Sequence, residues 1–439
     1  MYRLLILFLS FVVCSKSFAQ NLDNYNLGFE EVNDSLAKRW LMSNQGDYKL
    51  SIDTSIKYSG KRSLLIEKVN TKSQTKYAMA GYFLPAKFEG SEIEIKLYMK
   101  LENVKGHIDL PFRIDSEDYD RLQFANLLKT EISGTNDWQQ YSLKLPLQKE
   151  AARIVFYPTL YGSGKLWVDD VQILIDGKDI SLAKIKPDYN PNAPPAIYYG
   201  GNESVAGKVK VKDAEIYYEM YGEGEPLLLL HGNSQSINVF KKQIKEFSKS
   251  YKVIAVDTRG QGKSTDVSSI PLTYDLFAED MKTLLDSLNI QKVSILGWSD
   301  GGNTGLIMAN KYPAYVDKLA VMGACMNPNG AVSKVTLFEV ANTIKSLEKK
   351  TDINAKKQVR LFTMLLTEPH IKVADLQNIK SPVLVMAGEK DMILRSHTTF
   401  IADNIPKAKL HIFEGATHYA PIEIVSEFNT TVLNFLNVK

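Results

Sequence analysis

Val293-Ser294-Ile295-Leu296-Gly297-Trp298-Ser299-Asp300-Gly301-Gly302 is the stretch that decides how this chain is read. An apolar, strand-like run passes directly into Gly-x-Ser-x-Gly. In such a turn the flanking positions leave no room for side chains. The serine is held in a strained backbone conformation at the mouth of the next helix, its hydroxyl projecting from the sheet. Three fixed positions recur by chance, so the surrounding sequence has to supply the context.

Outward from this turn, apolar runs alternate with helical patterns. A hairpin is expected over 208–211 and 215–221, followed by strands at 226–230, 252–256, 293–296, 319–322, 383–387 and 410–413. Between them, 273–288 places Tyr274, Phe277, Ala278, Met281, Leu284, Leu285 and Leu288 at helical spacing, with Thr273 as N-cap. Strands this continuously apolar are buried on both faces, which implies a parallel sheet covered by helices. Ser299 then lies at the carboxyl end of a strand, where open α/β sheets place their sites.

A serine hydroxyl needs a base to become a nucleophile. Of the six histidines, His418, in Gly415-Ala416-Thr417-His418-Tyr419, is the best placed, on a loop just after the last strand. An acid must orient that imidazole. Gly388-Glu389-Lys390-Asp391 supplies Asp391, with Glu389 the lesser candidate. Charge developing on a carbonyl oxygen needs two preorganised N–H donors. Those expected are Asn233, in Leu230-His231-Gly232-Asn233, and Asp300. His231 reads as a packing and hydrogen-bonding residue, and 257–264 as a turn that shapes the site.

The order Ser299, Asp391, His418 is that of the α/β-hydrolase fold, and the resemblance covers about 209–439. Gly297-Trp298-Ser299-Asp300-Gly301-Gly302-Asn303, continuing to Ala309-Asn310-Lys311-Tyr312-Pro313, resembles the biphenyl hydrolase-like (valacyclovirase) group. The resemblance implies that Asp300 receives a substrate ammonium. The bland alternative is that its side chain only bonds locally. Trp298 is the other substrate-binding candidate. A helical lid is expected at about 329–381, with Lys345, Lys349, Lys350, Lys356 and Lys357 exposed; here the match to the group weakens.

The first half has a different rhythm. Short alternating runs such as Tyr48-Lys49-Leu50-Ser51-Ile52 and Ile93-Glu94-Ile95-Lys96-Leu97-Tyr98 read as an all-β sandwich over 21–182. Asn26-Leu27-Gly28-Phe29-Glu30, Trp138-x-x-Tyr141 and Leu166-Trp167-Val168-Asp169-Asp170-Val171 resemble jelly-roll carbohydrate-binding-like modules. That resemblance implies a glycan partner and a structural calcium on Glu30 and Asp169 or Asp170. A Pro-rich linker is expected at 183–207, and the hydrolase domain at 208–439.

Residues 1–19 read as a secretory signal peptide cut before Gln20: a positive start, an apolar run too short to span a bilayer, and Ser17-Phe18-Ala19. Export to the periplasm or outside follows, and no transmembrane segment is expected in the mature chain. Without the leader only Cys325 remains, so no internal disulfide forms. It reads as a small buried hydrophobe. A net charge of +3 over 439 residues, with no basic run, argues against nucleic acid.

The expectation is therefore an exported serine hydrolase cleaving carboxylic esters of small molecules, without a cofactor in the catalytic site. The alternatives are an aminopeptidase or amidase acting on substrates with a free amine, and a glycan-binding protein or carbohydrate esterase using the β-domain.

Overall fold

The computed structural model describes residues 25–33, 36–42, 47–69, 77–190, 192, 197–350 and 352–437. The proposed leader, 1–19, lies outside them. Two compact units divide between Ile197 and Tyr198.

The first unit is rich in antiparallel strands. One sheet has seven strands, on the path Gly134–Pro146, Glu92–Asp109, Thr159–Ile175, Ser63–Lys68 and Tyr48–Asp53, with two short strands paired to Thr159–Ile175. A second, five-stranded sheet runs from Arg121–Ala125 through Phe112–Asp115, Arg153–Phe156 and Gly81–Pro85 to Trp40–Leu41. Strand alternation explains their shared core. Ile93, Ile95, Leu97, Met99 and Leu101 point inward, and Lys96, Tyr98 and Lys100 lie on the opposite face. Trp40 fills the middle, its ring 4.7 Å from Phe29 and 4.8 Å from Tyr82.

The residues named for calcium make other contacts here. Asp169 Oδ2 accepts the N–H groups of Tyr58 and Ser59 at 2.7 and 2.9 Å, and Glu30 Oε1 accepts that of Lys61 at 2.6 Å. The two carboxylates thus hold the 58–61 turn through its own N–H donors. Asp170 is turned aside and accepts from the Gln172 amide. Among the described residues no group of three or more His, Cys, Asp or Glu side chains converges to hold a metal.

Of the 183–207 segment, Ile185 bridges to Phe88, and Glu219 accepts the N–H groups of Gly200 and Asn202 at 2.7 and 2.8 Å. Ala206 already begins a strand.

The second unit is an eight-stranded sheet. Its strands are numbered β1 (Ala206–Val211), β2 (Ala214–Tyr221), β3 (Glu225–Leu230), β4 (Tyr251–Val256), β5 (Val293–Trp298), β6 (Val316–Met322), β7 (Val383–Gly388) and β8 (Ala408–Phe413). Their order is 1-2-4-3-5-6-7-8, antiparallel up to the β2–β4 pair and parallel thereafter. β5, at the centre, is buried along its whole length.

Helices α1 (Lys241–Phe247), α2 (Tyr274–Ser287) and α3 (Asp300–Lys311) cover the sheet, with separate cores on its two faces. Thr273 does cap α2, accepting the N–H of Leu276 at 3.1 Å. Between β6 and β7 stand α4 (Lys334–Glu348), α5 (Ile353–Thr367) and α6 (Val373–Gln377). No helix among the described residues is long and apolar enough to cross a membrane.

Candidate active site

The turn after β5 has the geometry its glycines require. Ser299 sits at φ 56°, a left-handed conformation costly for a side-chain-bearing residue. A Cβ on Gly297 would lie 2.2 Å from the Gly301 carbonyl oxygen, and one on Gly301 1.9 Å from that of Leu230. Only glycines let the chain turn this tightly against the end of β3. The Ser299 N–H donates to Met322 O at 2.7 Å, pinning the turn to β6.

His418 and Asp391 meet on the loops after β8 and β7. His418 Nδ1 lies 2.7 Å from Asp391 Oδ1, both side chains nearly buried. Oδ1 also accepts the Ile393 N–H at 2.9 Å, fixing the carboxylate. Glu389, the lesser candidate, is exposed and accepts the Gly415 N–H instead.

Gly323, at φ 62° just past β6, has a role sequence reasoning missed. A Cβ there would come within 2.5 Å of the His418 ring. The signal was a glycine at the carboxyl end of the strand beside the serine.

Trp298 is corrected. It is 1% exposed, packs its ring against Phe240 and Tyr419, and donates its indole N–H to His418 O at 2.9 Å. As the last residue of a strand buried on both faces it cannot reach a substrate; it anchors the histidine loop.

The loop after β3 lies against Ser299, since a Cβ on Gly232 would be 3.1 Å from Ser299 Cβ. Gly232 N–H donates to Gln235 and Ser234 N–H to Gln261. Between them, Asn233 N–H has no acceptor among the described residues, and neither has Asp300 N–H at the start of α3. Two such donors flanking a serine are what an oxyanion site requires.

His231 is a packing residue, as its sequence context suggests. Its Nε2 accepts the Thr258 N–H at 3.1 Å, so Nδ1 carries the proton and donates to Gly232 O at 2.8 Å. Burial pushes its pKa down to about 4, opposed by the Gly232 bond. The unfolded chain therefore binds the extra proton, and stability is full above pH 6.5 and lost as pH falls towards 4. The loss amounts to about 3 kcal/mol over that window. Asp257 and Asp300, raised by burial to about 6, work in the opposite direction. Denaturant midpoints of the wild type and His231→Gln between pH 7.5 and 4.5 separate these effects. The wild type is expected to show the steeper acid loss, and equal slopes would remove His231 as its cause.

Asp300 is 2% exposed. Its Oδ1 accepts from Tyr274 Oη at 2.7 Å and its Oδ2 from Asn233 Nδ2 at 2.9 Å. Burial raises its pKa to about 6, against these two hydrogen bonds and the nearby His418. The Cys325 thiol is pushed up to about 12 by burial and then by Asp300, so it stays protonated and unreactive. The 257–264 segment is a structural turn, as expected: Asp257 accepts the N–H groups of Ile237 and Lys263, and Arg259 pairs with Asp280.

Between β6 and β7, Lys345, Lys349, Lys350 and Lys356 are exposed, but Lys357 is half-buried. Burial lowers its pKa against the pull of Asp257. Helical spacing puts it on the same face as Leu361, which is packed down onto the core.

Residues 225–349 match the family model described as the alpha/beta hydrolase fold. Human serine hydrolase BPHL is 30% identical over 278 residues, covering 58% of this chain and 94% of that protein. The chain belongs to the α/β-hydrolase fold family. This α/β hydrolase is also 28% identical to the 2-hydroxy-6-oxononadienedioate/2-hydroxy-6-oxononatrienedioate hydrolase of Escherichia coli K12, over 56% of its own length and 98% of that enzyme. Among solved structures it is similar to MGS-M2, an alpha/beta hydrolase from a deep-sea metagenome, at 20% identity and TM-score 0.49, covering 53% of this chain and 98% of that one. It is a hydrolase.

Proposed function

We propose that this hydrolase is a serine esterase. Ser299 Oγ adds to an ester carbonyl as its proton passes to His418 Nε2, and the carbonyl oxygen takes up the charge against Asn233 N–H and Asp300 N–H. Collapse expels the alcohol, which receives that proton, and leaves an acyl-enzyme. Water, deprotonated by His418, then releases the acid and regenerates Ser299. Asp391 holds the imidazole in the tautomer this requires.

The 2.7 Å His418–Asp391 contact, together with a serine held at φ 56° in the turn after β5, carries the reading. The name of the human relative, a serine hydrolase, agrees with it. An amidase that docked a substrate ammonium on Asp300 is less well supported, because that carboxylate is 2% exposed and is held by Tyr274 and Asn233. Turnover of p-nitrophenyl acetate with fluorophosphonate labelling tests the proposal; an unlabelled wild type would sink it. Residues 1–19 support export.

For the first unit we propose a jelly roll whose outer face binds glycan. Tyr58, 44% exposed, stacks on Tyr98 with centroids 3.6 Å apart, and Trp138 lies 5.9 Å from Tyr58. Exposed aromatic faces suit the apolar faces of sugar rings. The full chain is expected to migrate more slowly in native gels containing soluble polysaccharide, with Tyr58→Ala restoring its mobility. Unretarded wild type across a panel of polysaccharides rejects the idea.

A further inference from the structure

One carboxylate links four parts of the hydrolase unit. Tyr274 on α2 donates to Asp300 Oδ1, and Asn233 on the loop after β3 donates to Oδ2. Asn233 Nδ2 also donates to Leu361 O on α5 at 3.1 Å. The orientation of that amide is settled by its partners. Its Oδ1 accepts from Ser234 Oγ at 2.9 Å, and a flipped amide would set an oxygen against a carboxylate and a carbonyl.

The two residues joined at 2.9 Å are the same two whose backbone N–H groups flank Ser299. The side-chain bond between them therefore sets the spacing of the two donors. The second hydrogen on the Asn233 amide carries that constraint to the lid.

We propose that Asp300 is a positioning residue which, through Asn233, couples closure of the lid helix α5 to formation of the oxyanion site. This rests on the reading of Ser299 as nucleophile. With α5 seated, Asn233 is held from both sides and its N–H is aimed. With α5 lifted, Nδ2 loses one partner and the 232–234 loop gains freedom next to the nucleophile. What Asp300 supplies is two hydrogen-bond acceptors in fixed positions. A side-chain amide keeps both contacts with one of them reversed: Asn233 still donates to the amide oxygen, and Tyr274 Oη accepts from the new NH₂.

The test compares Asn233→Ala, Asp300→Ala and Asp300→Asn in the full chain. Three readouts are taken: kcat and KM on p-nitrophenyl acetate, fluorophosphonate labelling, and hydrogen exchange of the 353–367 segment. Asn233→Ala is expected to lower kcat roughly 10- to 100-fold with little change in KM, since donors misplaced by about an ångström lose that much. It is also expected to quicken exchange in 353–367. Asp300→Asn is expected to recover about tenfold of what Asp300→Ala loses, because the hydrogen bonds can be re-formed.

Asn233→Ala with unchanged kcat and unchanged exchange overturns the coupling. Asp300→Asn as slow as Asp300→Ala overturns it too, by showing that the charge is what counts. Should Asp300→Ala fail to fold with Tyr274 unsatisfied, Asn233→Ala still decides. Slowed variants that still label at Ser299 leave the nucleophile intact, whereas absence of label in the wild type strikes at the esterase reading itself.

Discussion

Replacing Ser299 by alanine is expected to abolish fluorophosphonate labelling and to lower kcat on p-nitrophenyl acetate by about 10⁴- to 10⁶-fold. The size of the loss follows from the arrangement. Without Oγ there is no acyl-enzyme, and His418 and Asp391, joined at 2.7 Å, have no nucleophile to serve. What remains is the pull of two N–H donors on a carbonyl attacked by water. The fold is expected to survive, because Ser299 makes its structural bond through the backbone, from its N–H to Met322 O. Unchanged denaturation midpoints with lost turnover would fit this account. A variant that retained more than about a hundredth of wild-type turnover would move the nucleophile elsewhere.

The largest expected loss of stability is at Arg259. Its side chain is fully buried. Nε and one terminal nitrogen each bond Asp280 at 2.7 Å, and that nitrogen also donates to Lys212 O. Asp266 lies 3.5 Å from the other terminal nitrogen. Arg259→Met removes the cation and leaves Asp280 buried. Breaking one side of such a pair costs about 3–5 kcal/mol.

The deficit is expected to shrink in acid. Burial already pushes the Asp280 carboxyl up against the pull of Arg259; without that pull it is raised further above its unfolded value. The fold then keeps the proton that the unfolded chain gives up, so the variant recovers stability as pH falls through that raised pKa. Adding Asp280→Leu should restore part of the loss. Urea unfolding at pH 8 and pH 5 measures both effects. A deficit below about 1 kcal/mol would show that water or other groups solvate the orphaned carboxylate.

Much of this was legible beforehand because burial and turn chemistry leave marks in local sequence. Apolar runs located every strand of the hydrolase sheet, and β5 passing into Gly297-Trp298-Ser299-Asp300-Gly301 marked the turn. Periodicity, however, reports that a side chain is buried and not what it bonds. Tyr274 fits the apolar stripe of α2, yet its hydroxyl reaches Asp300 on another element. The half-buried Lys357 sits one position after the exposed Lys356, and nothing in the lysine-rich pattern separates them.

Trp298 was misassigned for a related reason, since adjacency to Ser299 in the chain says nothing about which side of the sheet it faces. Glu30 and Asp169 accept N–H donors of a turn more than 25 residues from either, contacts that no local pattern announces.

Gly323 carries a last consequence. The imidazole occupies the volume that any other residue at 323 would fill. The site is therefore specified partly by subtraction, through an atom the chain must never acquire. Inherited changes at 323 would displace the base while leaving Ser299, Asp391 and His418 spelled correctly. A lineage drifting away from catalysis could lose its activity there first, and a comparison of triads alone would miss the loss.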